Sequence, residues 1–331
     1  MTNLNKIPKM LFFMLLLLGA SISISSTSPL IIWMGLEINL ISFLPLLTYS
    51  NSNVSSSNTM KYYLIQIITS MFILSLLVPQ FINTNTNFLI LMLSLSLMIK
   101  VGLPPYHFWL PAIMLSMNWF NCLIMSTIQK LAPLMLFFSL MYLNKPMILL
   151  LVLSLMISTL GGLKQSHFKP LMAYSSMHHM TWCLLTVMYN FNLGITYFFI
   201  YSITCFMLFL LMNKNKTSSF TNNTFSLNKS EFLIILMLIL SLAGIPPLLG
   251  FYPKLMLLSL FFNYSLGLLT SLLLSSMINL YFYLNFSFSL LMHKKTKFSK
   301  MLNSPYMIMS LFTLFMMTPI MIMFFALNML Y

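Results

Sequence analysis

Residues 102–111 read Gly102-Leu-Pro-Pro-Tyr-His-Phe-Trp-Leu-Pro111, and residues 244–253 read Gly244-Ile-Pro-Pro-Leu-Leu-Gly-Phe-Tyr-Pro253. The glycine, the paired prolines (Pro104 and Pro105; Pro246 and Pro247) and the closing proline coincide at one offset, 142 residues. Lys100 stands two residues before the first block, and Lys254 directly follows the second. Both blocks lie inside apolar stretches, Phe88–Phe120 and Glu231–Asn263, each too long for one straight membrane crossing of about 20 residues. Proline removes a backbone donor and opens a helix, and freed carbonyls are tolerated at membrane depth only against protein or water. The pair therefore predicts two broken helices in matching halves of a transport protein, at Gly102, Pro104 and Pro105 and at Gly244, Pro246 and Pro247. Plain proline kinks are the simpler reading, but they leave the lysine beside each block without a reason.

The rest of the chain is of the same kind. Of 331 residues, 60% are hydrophobic and 5% charged, with a mean hydropathy of +0.94. Soluble domains carry about 25% charged residues, so neither a soluble nor a disordered chain fits. The net charge of +14 would suggest nucleic acid in a soluble protein, but too few polar residues exist to build a basic face. The expected fold is all-α: a polytopic transmembrane helical bundle of eleven spans. They are Ile7–Ser25, Pro29–Tyr49, Thr59–Val78, Phe88–Phe120, Cys122–Leu143, Pro146–Gly162, Pro170–Tyr189, Leu193–Met212, Glu231–Asn263, Leu266–Met292 and Pro305–Leu330. The first has features of a secretory signal, with Lys6 and Lys9 before an apolar run. A retained span is preferred, because the chain that follows is itself membranous. The polar stretches Ser50–Asn58 and Thr217–Asn228 read as loops.

Counting loops alternately places Lys6, Lys9, Lys61, Lys164, Lys169, Lys214, Lys216, Lys229, Lys294, Lys295, Lys297 and Lys300 on the N-terminal side. Only Lys145 falls opposite, and such a bias is what the positive-inside rule produces when the span count is right. Glu231 reads as a residue of the same boundary, at a helix N-terminus that favours a carboxylate. The broken stretches are the fourth and ninth spans, so they cross in opposite directions and the repeat is inverted.

Four charges remain within or beside the spans: Glu37, Lys100, Lys130 and Lys254. A charged residue at the centre of a span costs roughly 2.5–3.5 kcal/mol on insertion scales. Lys100 and Lys254, next to helix breaks, have snorkelling as an alternative; Glu37 and Lys130 lie too deep for it. The functional reading is that the four pair across the bundle or line a wet cavity. Buried lysines titrate as a coupled system, protonation of one opposing that of the next, which is what a proton relay driven by charge displacement requires. The offset of 142 carries Glu37 onto His179, a weaker relay candidate; His107, after the first break, is weaker still. Adjacent His178 and His179 point about 100° apart on a helix and cannot chelate one metal.

Other chemistry has no footing here. Cys122, Cys183 and Cys205 lie in three spans without ligand spacing, so neither haem nor an iron–sulfur cluster is expected. Nucleotide-binding glycine motifs do not occur, and there is no aspartate. No metal or cofactor site is expected in this chain.

The whole chain resembles the family of mitochondrially encoded second subunits of NADH–ubiquinone oxidoreductase, respiratory complex I. The residues that carry the likeness are Trp33-Met-Gly-Leu-Glu-Ile-Asn-Leu40, Lys100 through Pro111, Gln129-Lys-Leu-Ala-Pro133, Gly161-Gly-Leu163, Leu171-Met-Ala-Tyr-Ser-Ser176 with His179 and Trp182, and Gly244 through Lys254. The resemblance implies an antiporter-like membrane-arm subunit with five-helix inverted repeats. Here these fall at approximately 7–212 and 146–292, overlapping, within one domain over 1–331, with a basic loop at 293–304 and a last span at 305–331. It implies a central hydrophilic axis through Glu37, Lys100, Lys130 and Lys254, pumping protons from matrix to intermembrane space as quinone is reduced elsewhere. FMN, iron–sulfur clusters and ubiquinone would belong to other subunits. Partners would be the antiporter-like, small core and accessory subunits of the membrane arm, with an anionic lipid such as cardiolipin a candidate and nucleic acid none. The N-terminus would face the matrix of mitochondria and the C-terminus the intermembrane space. Ala112-Ile-Met-Leu115 departs from the carboxylate that many relatives carry after the His-Phe-Trp segment. A free-standing cation/proton antiporter and a non-pumping spacer of the membrane arm stay open as alternatives.

Overall fold

The computed structural model describes residues 6–48, 53–81, 87–140, 145–214, 229–246, 248–261 and 266–293. The expected loop 217–228, Pro247, the basic loop from 294 onward and the last span, 305–330, lie outside the described residues. What is described is helical throughout: α1 (Lys6–Ser25), α2 (Pro29–Thr48), α3 (Asn53–Phe81), α4 (Asn87–Val101), α5 (Trp109–Ser116), α6 (Trp119–Ser126), α7 (Ile128–Leu140), α8 (Lys145–Leu163), α9 (Phe168–Tyr189), α10 (Phe191–Lys214), α11 (Lys229–Ala243), α12 (Phe251–Phe261) and α13 (Leu266–His293). Seven helical stretches are long and apolar enough to cross a membrane, among the described residues.

The offset seen in the sequence recurs in the backbone. Shifted by 142 residues, the bounds of α4 become those of α11, and the first residue of α5 becomes the first of α12. The terminal hydrogen bonds shift with them. Gly102 N and Leu103 N both donate to Met98 O (3.0 and 2.8 Å), and Gly244 N and Ile245 N both donate to Leu240 O (3.1 and 3.4 Å). Each helix closes on a glycine in the left-handed region, with φ of 82° at Gly102 and 87° at Gly244. A side chain there would press its Cβ against the following carbonyl, so glycine is the residue that ends a helix this way. Packing is duplicated as well: α1 lies against α2 and α7, and α8 against α9 and α13.

One helix stands at the centre. Every residue of α9 from Pro170 to Met188 is buried, and α9 is less apolar than the helices around it. A helix surrounded by protein is spared contact with lipid and can carry polar groups, as α9 does with Ser175, Ser176, His178 and His179.

Two expectations are corrected. Residues 53–58, read as loop, open α3 instead: Asn58 Nδ2 donates to Ser116 Oγ at 2.8 Å, so its amide is held by the end of α5 rather than by solvent. The fifth span is not one helix. It divides at Thr127 (φ −120°, ψ −78°) into α6 and α7, with Thr127 Oγ1 donating back to Leu123 O at 2.7 Å. Pro133, which offers no N–H to the carbonyl one turn earlier, lies just beyond the division.

Candidate functional site

The site begins where α2 is fixed by its neighbours. Small residues let α1 and α2 approach closely: a Cβ added at Gly35 would stand 2.8 Å from the Gly19 carbonyl. Trp33 Nε1 donates to Ser70 O of α3 at 3.1 Å. Asn121 Nδ2 donates to Leu46 O at 3.0 Å, and Gln129 Nε2 to Asn39 O at 3.4 Å, tying α2 to α6 and α7. So held, α2 presents Glu37 to the end of α4, and Glu37 Oε1 stands 3.7 Å from Lys100 Nζ. Lys100 occupies the last turn of α4, where the helix dipole favours a cation. The Glu37 side chain is 25% exposed and that of Lys100 only 4%, so the pair has one outer and one inner member.

A cavity leads inward from Lys100. It is lined by Tyr62, Gln66, Lys100, Trp109, Gln129 and Lys130, among others, and measures about 20 Å³ at water centres. A single water needs roughly 10–15 Å³ on that measure. Lys130, at the far side, follows the Thr127 division and lies in the first turn of α7, where the helix dipole opposes a cation. Its charge is met instead by the wall of α9: Lys130 Nζ donates to Ser176 O at 3.1 Å.

One turn along α9, His179 Nδ1 pairs with Tyr197 Oη at 2.9 Å, and its ring stacks on Tyr201 at a centroid distance of 4.9 Å. The ring lies within electrostatic reach of both Lys130 and Lys254 and of the Leu242 carbonyl. A second, smaller cavity joins His179, Tyr197 and Tyr201 to Ser241, Leu242 and Pro253 at the α11–α12 interruption. Lys254 closes the row. From α12 it reaches back to α11, Nζ donating to Ala243 O at 2.8 Å and Leu242 O at 3.4 Å. These are last-turn carbonyls that a helix leaves without partners, and their dipole favours a cation.

The structure thus brings buried Lys100, Lys130, His179 and Lys254 together, with the partly exposed Glu37 at the Lys100 end. Snorkelling is not what the lysines do: Lys100, Lys130 and Lys254 are 6%, 2% and 4% exposed, enclosed by protein. His107 stands apart, in the α4–α5 connection, with Nδ1 3.2 Å from Pro105 O and its ring on Phe108 and Tyr174. His178 is buried beside Trp182 and His179. Lys169, expected as an orientation charge, is also a packing residue: Nζ donates to Met117 O and lies 5.1 Å from the Trp119 ring centroid. Three contributors escaped the sequence reading: Gln66, Tyr197 and the Thr127 division. Gln66 had a signal, a lone amide in an apolar span.

A model of the NADH:quinone oxidoreductase/Mrp antiporter transmembrane family matches residues 75–279. NADH-ubiquinone oxidoreductase chain 2 of Anopheles gambiae is 39% identical over 312 residues, which is 91% of each chain. In fold, the chain is similar to one of the respiratory complex I of Thermus thermophilus, with a TM-score of 0.79 at 22% identity, covering 86% of this chain and 71% of that one. A chain of the Mrp complex of Dietzia sp. gives a TM-score of 0.75 at 17% identity, covering 82% of this chain and 58% of that one.

Proposed function

Since this chain belongs to the NADH-ubiquinone oxidoreductase chain 2 family, within the NADH:quinone oxidoreductase/Mrp antiporter group, we propose that it is a proton-translocating membrane-arm subunit of complex I. The observation that carries the reading is the Glu37–Lys100 pair, the cavity that Lys100 shares with Lys130, and the electrostatic reach of Lys130 and Lys254 to His179. Glu37 and Lys100 act as a modulating pair, Lys130 as the central carrier and Lys254 as the terminal exchanger, with His179 between the last two. Glu37, the most exposed member, is where charge movement in a neighbouring subunit enters the row. A change there weakens or strengthens its hold on the Lys100 ammonium, and Lys130 responds across the shared cavity through like-charge repulsion.

The chain works as one antiporter-like unit in the inner membrane of mitochondria. Eleven crossings place the N-terminus in the matrix and the C-terminus in the intermembrane space. The lysine-rich face then meets the matrix, where anionic lipid such as cardiolipin gathers. The Lys169 contact supports this count, because the α5–α6 turn that it grips lies, by the same count, on the lysine-rich side. The inverted repeats, which overlap at approximately 7–212 and 146–292, are supported by the shared offset of α4 with α11, of the start of α5 with that of α12, and of their glycine-end hydrogen bonds. Electrons pass through FMN, iron–sulfur clusters and ubiquinone in other subunits, leaving this chain the proton step.

Protons moved per electron by complex assembled with Lys130→Met provide the test. A lowered ratio at normal assembly is expected; a ratio equal to wild type would remove the relay.

A further inference from the structure

The two helix interruptions end on carbonyls at equivalent positions, Lys100 with Leu242 and Val101 with Ala243. Carbonyls in a last turn have no partner further along their own helix. At the second interruption the Lys254 ammonium takes Ala243 O and Leu242 O. The first has no such lysine, for Ala112 stands where Lys254 stands in the repeat. The Lys100 carbonyl instead receives Gln66 Nε2, reaching across from α3 at 3.2 Å. Gln66 is 4% exposed and lines the cavity between Lys100 and Lys130.

We propose that Gln66 is a positioning residue of the relay, which caps α4 from the side and so keeps the Lys100 ammonium on Glu37. The chemistry of the donor separates the two interruptions. An amide keeps its N–H in every protonation state of the site, whereas an amine that has given up its proton is left a poorer cap. The end of α4 is therefore held constant while protons move, which frees Lys100 to answer Glu37. The end of α11 is tied to the proton on Lys254 itself. One amide N–H is held by the Lys100 carbonyl, so the amide oxygen and the second N–H are what Gln66 can offer the cavity. Tyr62, Lys100 and Lys130 are the titratable groups lining it, with Glu37 against Lys100.

The inference rests on the relay reading, and the assembled complex tests the two separately. Gln66→Met keeps the length and bulk of the side chain and removes the donor; Gln66→Glu keeps an acceptor and removes the donor when ionised. Both are expected to separate Lys100 from Glu37 in a density map of the complex. Coupled proton transfer per assembled complex should fall on the order of tenfold, the size of one hydrogen bond lost at a buried carbonyl. A packing role predicts that the methionine is harmless. A Lys100–Glu37 distance unchanged in both maps, or wild-type coupling in both variants, overturns the proposal. Lys100→Met serves as the reference: full coupling in that variant sinks the relay itself, and the maps of the Gln66 variants then decide the capping role alone.

Discussion

The Lys254 ammonium lies 2.8 Å from the carbonyl of Ala243, the last residue of the half-helix preceding its own. A helix end thus solvates a cation where water is scarce, and the cation caps a helix that has no other continuation. Two substitutions separate these roles. Lys254→Met leaves Leu242 O and Ala243 O without the ammonium donor, which costs about 1–3 kcal/mol, and on the relay reading it should also end proton exchange. Lys254→Arg keeps a donor and a charge but cannot release its proton. The arginine variant should recover most of the thermal midpoint lost by the methionine variant, with proton pumping still absent. Pumping in Lys254→Arg complex would show that Lys254 is only a cap.

Glu37 and Lys100 form an ion pair, Oε1 to Nζ at 3.7 Å. Removing one partner strands a buried charge, at about 3–5 kcal/mol where burial is complete and less here, since Glu37 is partly exposed. Glu37→Gln and Lys100→Met should each lower assembly, and the double variant should lose less than the two losses added together. Strict additivity in a double-mutant cycle on thermal stability would mean that the pair is not coupled.

Gly102→Ala and Gly244→Ala place a side chain at positive φ, at a cost of about 1–2 kcal/mol each. They differ in what the new methyl meets. At Gly102 it meets the Leu110 side chain at 2.6 Å; at Gly244 it stands 2.8 Å from Lys254 Nζ. Both variants should lower the thermal midpoint, and Gly244→Ala should in addition depress pumping per assembled complex. Equal pumping in the two would show that the space around Lys254 Nζ is immaterial.

The two candidate histidines should part company. His179→Phe removes a group within electrostatic reach of both Lys130 and Lys254 and should lower the proton-to-electron ratio. His107→Phe, among Pro105, Phe108 and Tyr174, should change the yield of complex and leave the ratio alone. The reverse pattern would relocate the relay to the α4–α5 connection.

Most of the framework was legible because glycine, proline and lysine leave strong marks in an apolar chain. The paired interruptions were visible at Gly102 and Gly244, and the four charges within the spans stood out because so few charges exist. What hydropathy could not show was which polar groups the fold would bring to them. Thr127 carries no glycine or proline, so the division of the fifth span was hidden, with Pro133 as its only trace. Residues 53–58 looked like a loop because asparagine and serine favour one; Asn58 became helical when Ser116 supplied a partner. Gln66 was passed over because a neutral side chain draws no notice in a count of charges, although its amide reaches a carbonyl 34 residues away.

The burial of α9 bears on how the protein is made. A chain threaded into a bilayer from its N-terminus delivers α9 before α10, α11 and α13 are present to enclose it. With His178, His179 and two serines on its surface, α9 alone is a poor match for lipid. Its earlier neighbours include α8, joined to it by the tight turn in which Gln165 N donates to Gly162 O, α5, whose end is gripped by Lys169, and α7, whose Lys130 reaches Ser176 O. Stable membrane insertion of α9 is therefore expected to depend on the helices already delivered, α8 and α5 foremost. Defects at Gly161, where an added Cβ would meet the Tyr174 ring at 2.3 Å, would surface as failed biogenesis before any proton is moved.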